Sequence, residues 1–304
     1  MDTIGLDFGS CNLKTNTGII VPSKITSITS DTNNLFEAEY VVEYEGKTYI
    51  IGEGDYDTTL DKTKKENIIP MLCLMLGLST KDDVVRIVAG LPINQYKSKE
   101  KDNFQAILHD NRMLNFKLNG VSRQIIIENN SIAPEGIASY YSMDYKKRLQ
   151  LKNKDIILLD IGGRTTDIAL IKAGSKRRIS KSTSLELGMI NIYNDLINEI
   201  NTRYTLGLEI EDAEKIIKNG LEVDGEKQDT EFMKDIIKSN MDKIFKELNI
   251  NYPIRTSPLL VTGGGGEAFF KSIKRRYLTA DLIDNYMFSN AIGYKKIGDK
   301  LWKD

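Results

Sequence analysis

Residues 156–167 read Ile-Ile-Leu-Leu-Asp-Ile-Gly-Gly-Arg-Thr-Thr-Asp, a strand and turn from which the rest of the architecture can be worked out. Four consecutive apolar residues predict a buried strand that ends at Asp160. The two glycines that follow expose backbone N–H groups, and Thr165 and Thr166 add hydroxyls. Asp167 comes seven residues after Asp160, where a hairpin would return its carboxylate to the same place. The pattern is typical of a turn that binds phosphate.

The beginning of the chain follows the same plan. Residues 3–10 read Thr-Ile-Gly-Leu-Asp-Phe-Gly-Ser, which is again an apolar strand, an aspartate, a glycine turn and a small polar residue. We interpret the repetition as two related α/β halves that face each other across a cleft. Ligands of open α/β sheets bind outside the carboxyl ends of the strands, so we expect Asp7 and Asp160 to lie in that cleft.

The first turn contains residue types that suit a nucleotide phosphate. Gly9 allows close approach of the backbone, and Asp7 can hold Mg²⁺ through water, as Asp160 can on the other side. The side chains that could contact phosphate oxygens are Ser10, Asn12 and Lys14. Taken alone, the first turn is more often an ordinary turn without a ligand, and the second such turn in the chain weakens that alternative.

Two further segments are candidates for the same site. Residues 259–267 read Leu-Leu-Val-Thr-Gly-Gly-Gly-Gly-Glu, and a glycine run after an apolar strand suggests close approach of a flat nucleoside or a phosphate. A flexible hinge is the alternative. Glu135 follows Pro134, in what the sequence predicts to be the first turn of a helix over 134–143. It could orient an attacking water, or merely complement the helix dipole.

Composition excludes several other classes of site. The chain has 304 residues, a formal net charge of −1, two cysteines and one histidine, His109. These counts exclude zinc fingers and histidine-based triads, and the balanced charge argues against direct nucleic-acid binding. The longest apolar run, residues 68–78, is too short to cross a bilayer, and no basic leader precedes the first strand. We therefore expect a cytoplasmic protein without a membrane partner.

Local patterns predict several further elements. Hairpins are expected over 40–51, with its tip at Glu45-Gly46, and around Asn119-Gly120. A helix is expected over 60–78, interrupted near Pro70. The basic stretch 146–154 is expected to be a solvated helix end and linker.

These motifs, in this order, resemble the actin-like ATPase superfamily, and within it the bacterial plasmid-segregation actins of the ParM (StbA-like) type. Ser289-Asn290-Ala291-Ile292-Gly293-Tyr294 is similar to the last connecting motif of that family. The resemblance implies an α/β, actin-like (ribonuclease H-like) fold with two domains and a nucleotide cleft between them. Domain I would span 1–150, with a small inserted subdomain around 31–80, and domain II 151–304. The final helix, 287–304, would pack back on domain I.

The resemblance also implies roles for residues at matching positions. Asp7 and Asp160 would hold hydrated Mg²⁺, and Glu135 would orient the attacking water with the assistance of Asp167. The implied catalytic residues are Glu135, Asp160 and Asp167. The residues implied to bind the nucleotide are Asp7, Gly9, Ser10, Asn12, Lys14, Gly162, Gly163, Thr165, Thr166, Glu186, Gly188, Glu214, Lys215, Gly263, Gly264 and Gly265.

The implied activity is ATP hydrolysis coupled to filament assembly, with Mg²⁺ as cofactor and with ATP or GTP as the nucleotide. Filaments would align or push plasmid DNA through a DNA-bound adaptor of the ParR type. The alternative is a small sugar or metabolite kinase of the same superfamily, which would transfer the γ-phosphate to a hydroxyl. Electron microscopy of the protein with ATP would discriminate between the two.

Overall fold

The structure is a computed structural model that describes residues 1–28, 38–56, 59, 62–174 and 177–303. Part of the predicted inserted subdomain lies outside the described residues, and so do the first two residues of the helix predicted over 60–78. Lys176 is also outside them.

Residues 1–134 form a mixed sheet of nine strands among the described residues, in the order β3-β2-β1-β7-β9-β8-β5-β6-β4. Its strands are β1 (Asp2–Phe8), β2 (Asn12–Thr15), β3 (Ile20–Pro22), β4 (Lys24–Ile28), β5 (Val41–Tyr44), β6 (Lys47–Tyr56), β7 (Val84–Leu91), β8 (Met113–Leu118) and β9 (Val121–Pro134). The parallel strands β1, β7 and β9 form its middle, and the hairpins that follow β4 in the chain extend it on one side.

A second sheet, of five strands among the described residues, has the order β12-β11-β10-β15-β16. It consists of β10 (Ile156–Ile161), β11 (Thr166–Ile171), β12 (Ile179–Leu185), β15 (Leu259–Thr262) and β16 (Ala280–Leu282), while β13 (Glu222–Val223) and β14 (Glu226–Lys227) form a separate small hairpin. In both sheets the first strand pairs antiparallel with the next strand in sequence and parallel with a later one. This shared topology agrees with the repeated sequence plan.

Helices surround the two sheets. They are α1 (Ile68–Ser79), α2 (Ile93–Tyr96), α3 (Glu100–Asp110), α4 (Ile137–Ser142), α5 (Tyr145–Gln150), α6 (Met189–Tyr204), α7 (Asp212–Asn219), α8 (Glu231–Asn251), α9 (Gly264–Ala268), α10 (Phe270–Arg276) and α11 (Ser289–Leu301), and a short 3₁₀ turn covers Lys62–Lys64. Helix α1 is apolar on all sides and almost fully buried against the first sheet, as expected of a core helix. One face of α8 covers the second sheet in the same way.

The structure corrects two predictions that concern proline. Pro70 does not interrupt a helix: α1 begins at Ile68, so the ring lies in the first turn, where no intrahelical N–H bond is lost. Pro134 does not begin a helix either, because it ends β9 and pairs with Leu91 in the parallel ladder. Gly136, with φ +76°, then turns the chain into α4. Glu135 therefore lies in the turn between strand and helix and not in a helical first turn.

The last helix joins the two halves. Helix α11 begins beside the end of β15, where the Thr262 and Ser289 hydroxyls are 2.7 Å apart, and then lies across β1, β7 and α4. A Cβ atom added to Gly293 would lie 1.9 Å from the carbonyl oxygen of Ala138, so α11 and α4 meet at backbone distance. This packing brings the amide of Asn290 to the junction between the two sheets.

Candidate functional site

A cleft of about 980 Å³ lies where the carboxyl ends of β1 and β10 face each other. Both halves of the chain line it. Of the predicted site residues, those that line the cleft are Asp7, Gly9, Ser10, Asn12, Lys14, Glu135, Asp160, Gly162, Gly163, Thr165, Asp167, Glu186, Glu214, Gly263, Gly264 and Gly265. The structure thus brings together residues that are as much as 258 positions apart in the sequence.

The two halves present equivalent hairpins to this cleft. In the first, Asp7 pairs with Lys14 across β1 and β2. In the second, Asp160 pairs with Asp167 across β10 and β11. The spacing of seven residues is the same, but the partner is a cation in one half and a carboxylate in the other. The electrostatics of the two sides therefore differ.

Lys14 forms the positive centre of the first hairpin. Its ammonium lies 3.3 Å from Asp7, and both side chains are largely buried. Burial opposes the charge of Lys14, but the neighbouring carboxylates of Asp7 and Asp160 outweigh it, so the pKa of Lys14 is raised above its ordinary value. The lysine stays charged at neutral pH and points at the space between the two hairpins.

Asp160 is held by a side chain from the end of the molecule. The amide of Asn290 donates a hydrogen bond of 3.0 Å to Asp160 Oδ2, while its own oxygen accepts from the backbone N–H of Gly136 and from the Ser139 hydroxyl. Burial and the nearby Glu135 raise the pKa of Asp160 to about 6, although Lys14 and Asn290 oppose the shift. Asn290 therefore positions a cleft carboxylate, a role that its sequence motif alone did not reveal.

The pKa of the Asp167 carboxyl is shifted further than that of Asp160. Burial, followed by the charges of Glu135 and Asp160, raises its pKa to about 7. Thr165 donates a hydrogen bond of 3.2 Å to Asp167 Oδ2, whereas Asp167 Oδ1 is buried without a hydrogen-bond partner in the part of the chain that the structure describes. A buried acceptor of this kind indicates a missing donor, such as water or a ligand.

The glycine turn after β10 contacts the first half directly. A Cβ atom on Gly163 would lie 2.0 Å from the Sγ atom of Cys11, which leaves no room for a larger residue. The carbonyl oxygens of Gly162 and Gly163 accept from the N–H groups of Met189 and Ile190, at the start of α6. The turn is thereby fixed at the cleft with its carbonyls directed away towards the helix.

The glycine run after β15 differs from the predicted loop. Gly263 is the turn residue: its φ is +84°, and a Cβ atom there would lie 2.4 Å from the Ile161 carbonyl oxygen. Gly264 and the two glycines after it belong to α9. The absence of side chains nevertheless leaves the cleft floor open at Gly264, where a Cβ atom would meet only Met287, at 3.6 Å or more.

Three predicted ligand residues do not line the cleft. The hydroxyl of Thr166 is buried and donates to the Leu187 carbonyl at 2.6 Å, so it supports the loop before α6. Gly188 is packed against Gly163 and the start of the same helix. Lys215 is exposed on α7, whereas Lys218, one turn further on, does line the cleft and pairs with Glu214 at 2.6 Å. Lys218 lies four positions after Glu214, on the same helix face, and therefore lines the cleft together with it. The sequence alone did not show which of the two lysines, Lys215 or Lys218, would do so.

Sequence reasoning missed Lys62. It lies in the 3₁₀ turn before α1, lines the cleft, and forms an ion pair with Glu135. No local pattern marks it, because it is one of several lysines in residues 62–65 and its partner is 73 positions away. Tyr294, from the predicted last motif, does not line the cleft: it is fully buried beside Gly90, and its hydroxyl has no hydrogen-bond partner among the residues described.

The donor set fits a hydrated cation better than a directly ligated one. In the described ranges, no three His, Cys, Asp or Glu residues are placed to hold a metal ion directly. Asp7 and Asp160 instead face the same cleft from opposite hairpins, where they can accept hydrogen bonds from metal-bound water. The bare glycine backbones and Lys14 are suited to phosphate oxygens. The residues present therefore fit a nucleotide with Mg²⁺.

Two groups of basic residues in the described part of the chain, Arg177-Arg178 and Lys274-Arg275-Arg276, are not part of the cleft. Arg177 donates hydrogen bonds to the carbonyls of Leu151, Lys154 and Lys172 and stacks on Tyr140. Lys274 donates to the Ala280 carbonyl, and Arg276 lies over Phe245. For these three residues the contacts are within the chain and explain their presence.

Two family models match the chain. Residues 5–137 match the model described as actin-like proteins, N-terminal domain. Residues 158–275 match that of the archaeal actin homologue MreB-like, C-terminal. The chain belongs to the actin-like proteins. Its two halves, each with one Asp-tipped hairpin, correspond to the two matched regions, and the predicted α/β actin-like fold and family are confirmed.

Solved structures agree with this assignment. The ParM filament of 15 strands from Clostridium botulinum is 25% identical, with a TM-score of 0.80, over 99% of this actin-like chain and 100% of the other. A non-polymerisable quadruple mutant of pCBH ParM is also 25% identical, with a TM-score of 0.79, over 98% and 99% of the two chains. The archaeal actin homologue Ta0583, in complex with ADP, has a TM-score of 0.82 at 19% identity over 99% and 100%, and shows the fold alone. No curated protein sequence matches this actin-like chain.

Helices long and apolar enough to cross a membrane do not occur in the described part of this actin-like protein. The longest described helix, α8, carries charged residues along its length.

Proposed function

We propose that the protein is an ATPase that polymerises with ATP and Mg²⁺ and disassembles after hydrolysis. The observation that carries the proposal is the cleft, where several carboxylates, Lys14 and three glycine turns from both halves converge. Phosphoryl transfer requires mainly positioning and charge neutralisation, which such a constellation can supply. An archaeal actin homologue with the same fold was solved in complex with ADP, and we propose a nucleotide as the ligand here as well.

In this proposal each side chain has a defined task. Lys14, Ser10 and Asn12 bind the β- and γ-phosphates from the first hairpin, and the backbone of 162–165 binds them from the second. Mg²⁺, when bound, would neutralise phosphate charge through water held by Asp7 and Asp160. Glu135, assisted by Asp167, accepts a hydrogen bond from the attacking water. Glu186, Glu214 and the turn at 263–265 contact the nucleoside.

Filament formation is the second part of the proposal. A cleft lined by both halves lets a bound nucleotide stabilise one relative arrangement of them, so that assembly depends on the nucleotide state. The 25% identity over 99% of the chain to a ParM that forms a filament supports self-association. We further propose that the filaments segregate plasmid DNA in the cytoplasm through a DNA-bound adaptor of the ParR type. The formal net charge of −1 agrees with an indirect contact to DNA.

Light scattering and negative-stain electron microscopy test the proposal. We expect filaments when the purified protein is mixed with Mg²⁺ and ATP, and loss of scattering as phosphate is released. GTP in place of ATP tests base preference, and Mg²⁺ chelation should abolish both signals. Phosphorylation of a sugar without filaments would contradict the proposal and indicate a kinase instead.

The variant Glu135→Ala separates hydrolysis from assembly. Because Glu135 acts on the water and not on the nucleotide, the variant should bind ATP normally, release phosphate at least about tenfold more slowly, and form longer-lived filaments. Phosphate release at the wild-type rate would remove Glu135 from this role.

A further inference from the structure

Lys62 has an unusual environment for a lysine. Its side chain is only 6% exposed, and that of its partner Glu135 is 13% exposed. The ammonium donates one hydrogen bond to Glu135 Oε1 and a second, of 3.2 Å, to the carbonyl oxygen of Gly90 at the end of β7. Its neighbour in the same turn, Lys64, is exposed. Burial of a charged ammonium is unfavourable unless it is paired, so its position at the cleft requires an explanation.

The surroundings of Glu135 supply that explanation. Glu135 lies close enough to Asp160 and Asp167 for its charge to raise the pKa of both. Three carboxylate charges so close together repel one another and favour a cation beside them. Lys14 is engaged with Asp7, at 3.3 Å, on the other side of the cleft. Among the described residues, the ion pair of Glu135 is with the Lys62 ammonium.

The anchor of Lys62 is also rigid. Gly90 is packed so tightly that a Cβ atom there would lie 1.8 Å from the hydroxyl oxygen of the fully buried Tyr294. Its carbonyl therefore fixes the ammonium in one place. Oε1 of Glu135 is bound to that ammonium, and within the described residues Oε2 has no hydrogen bond, so it can accept one from a water in the cleft.

We propose that Lys62 is a positioning residue for ATP hydrolysis: its ammonium holds the Glu135 carboxylate by one oxygen, so that the other oxygen can orient the attacking water. This inference rests on the proposed ATPase function. It assigns to Lys62 a task in the hydrolytic step and none in nucleotide binding, since its ion pair is with Glu135. The competing interpretation is a purely structural lysine that satisfies the Gly90 carbonyl.

The test is a double-mutant cycle measured by steady-state phosphate release. Lys62→Met should lower kcat by about tenfold or more and change KM for ATP less than about threefold. Lys62→Arg, which keeps the charge, should recover part of the loss. In a Glu135→Gln background the Lys62→Met change should have no further effect, because its target has lost the charge. Lys64→Met, in the same turn but exposed, is the matched control and should retain the wild-type kcat.

Two results would overturn the proposal: equal loss of kcat from Lys62→Met with and without Glu135→Gln, or a loss confined to KM. A second measurement does not depend on activity. In thermal unfolding without nucleotide, Lys62→Met should shift the midpoint more in the wild-type background than in Glu135→Gln. If the wild-type protein releases no phosphate, the ATPase proposal fails by itself. The unfolding cycle then decides whether the pair is coupled, and equal shifts in both backgrounds reject the Lys62 proposal.

Discussion

At the scale of single residues, Asp160 and Asp167 present a conflict of charge. They are opposite each other in one hairpin, and both are largely buried. In the equivalent hairpin of the first half, the partner of Asp7 is a lysine, and the conflict does not arise. The second hairpin is therefore expected to be destabilised whenever both of its carboxyls are ionised, unless a cation or a donor ligand enters the cleft.

This conflict predicts a pH dependence of stability. The pKa of Asp167 rises from 3.8 to about 7 in the folded protein. The folded state thus binds a proton more tightly than the unfolded state, so the stability contributed by this group is lost as the pH rises from about 4 to 7. The variant Asp167→Asn mimics the protonated form. At pH 8 its Tm should be higher than that of wild type, and its free energy of unfolding should be larger by on the order of 2–4 kcal/mol. At pH 5 both differences should be smaller.

The measurement is thermal unfolding without nucleotide or Mg²⁺, at several pH values between 5 and 8. Addition of Mg²⁺ with a nucleotide should reduce the difference in Tm between Asp167→Asn and wild type at pH 8, because both ligands favour the ionised carboxyl. A difference between the two proteins that stays constant with pH would show that Asp167 ionises normally.

Sequence predicted some residues of the cleft and missed others for a physical reason. Asp7 and Asp160 follow apolar strands directly, and that local pattern places them at strand ends. Lys62 and Asn290 reach the same cleft only through tertiary packing, over separations of 73 and 130 positions from their partners. Local patterns do not contain that information.

At the scale of elements, α11 is attached by backbone contact. A Cβ atom on Gly5 of β1 would lie 2.0 Å from the Ala291 carbonyl oxygen, and one on Gly293 would lie 1.9 Å from that of Ala138. Helix α11 therefore lies closer to its neighbours than side chains would allow. Since Asn290 is in its first turn, this packing also sets the position of Asp160.

We predict that Gly293→Ala destabilises the protein. Alanine favours the helix by about 1 kcal/mol over glycine, but the added methyl must displace the backbone of α4, which costs more. The net loss should be roughly 1–3 kcal/mol, or a fall of about 2–6 °C in Tm. Gly207→Ala is the control, since a Cβ atom there has nothing within 4 Å. An unchanged Tm for Gly293→Ala in differential scanning calorimetry would contradict the close packing.

Element boundaries were predictable where local chemistry decides them. The hairpins at 45–46 and 119–120 have the predicted tips because their turn residues suit a tight reversal. The prediction that a helix begins at Pro134 was wrong, because the parallel ladder with β7 continues to that residue and Gly136 makes the turn. Pairing with a distant strand overrode a local helix signal.

At the scale of the whole molecule, a few polar contacts join the two halves of the chain. Lys24, on β4, lies 2.7 Å from Glu211, just before α7, and over the ring of Tyr56. Lys97 donates a hydrogen bond of 3.2 Å to Ser182 at another point between the halves. The ion pair with Lys24 lowers the pKa of Glu211, chiefly through their hydrogen bond. These contacts favour a closed arrangement of the two halves.

Reversal of one charge in that ion pair should speed nucleotide release. Glu211 is half exposed, so the pair contributes below about 1 kcal/mol, and Lys24→Glu or Glu211→Lys should raise the dissociation rate of a fluorescent ATP analogue roughly twofold to fivefold. The double exchange should restore slow release, and the differences should shrink between 0.05 and about 0.5 M salt because the charges are screened. Reversal of the exposed Lys234–Glu231 pair on α8 is the control. Stopped-flow measurement gives the dissociation rate in each protein. If release is as fast in the double exchange as in the single variants, the side chains act separately and the ion pair does not hold the cleft closed.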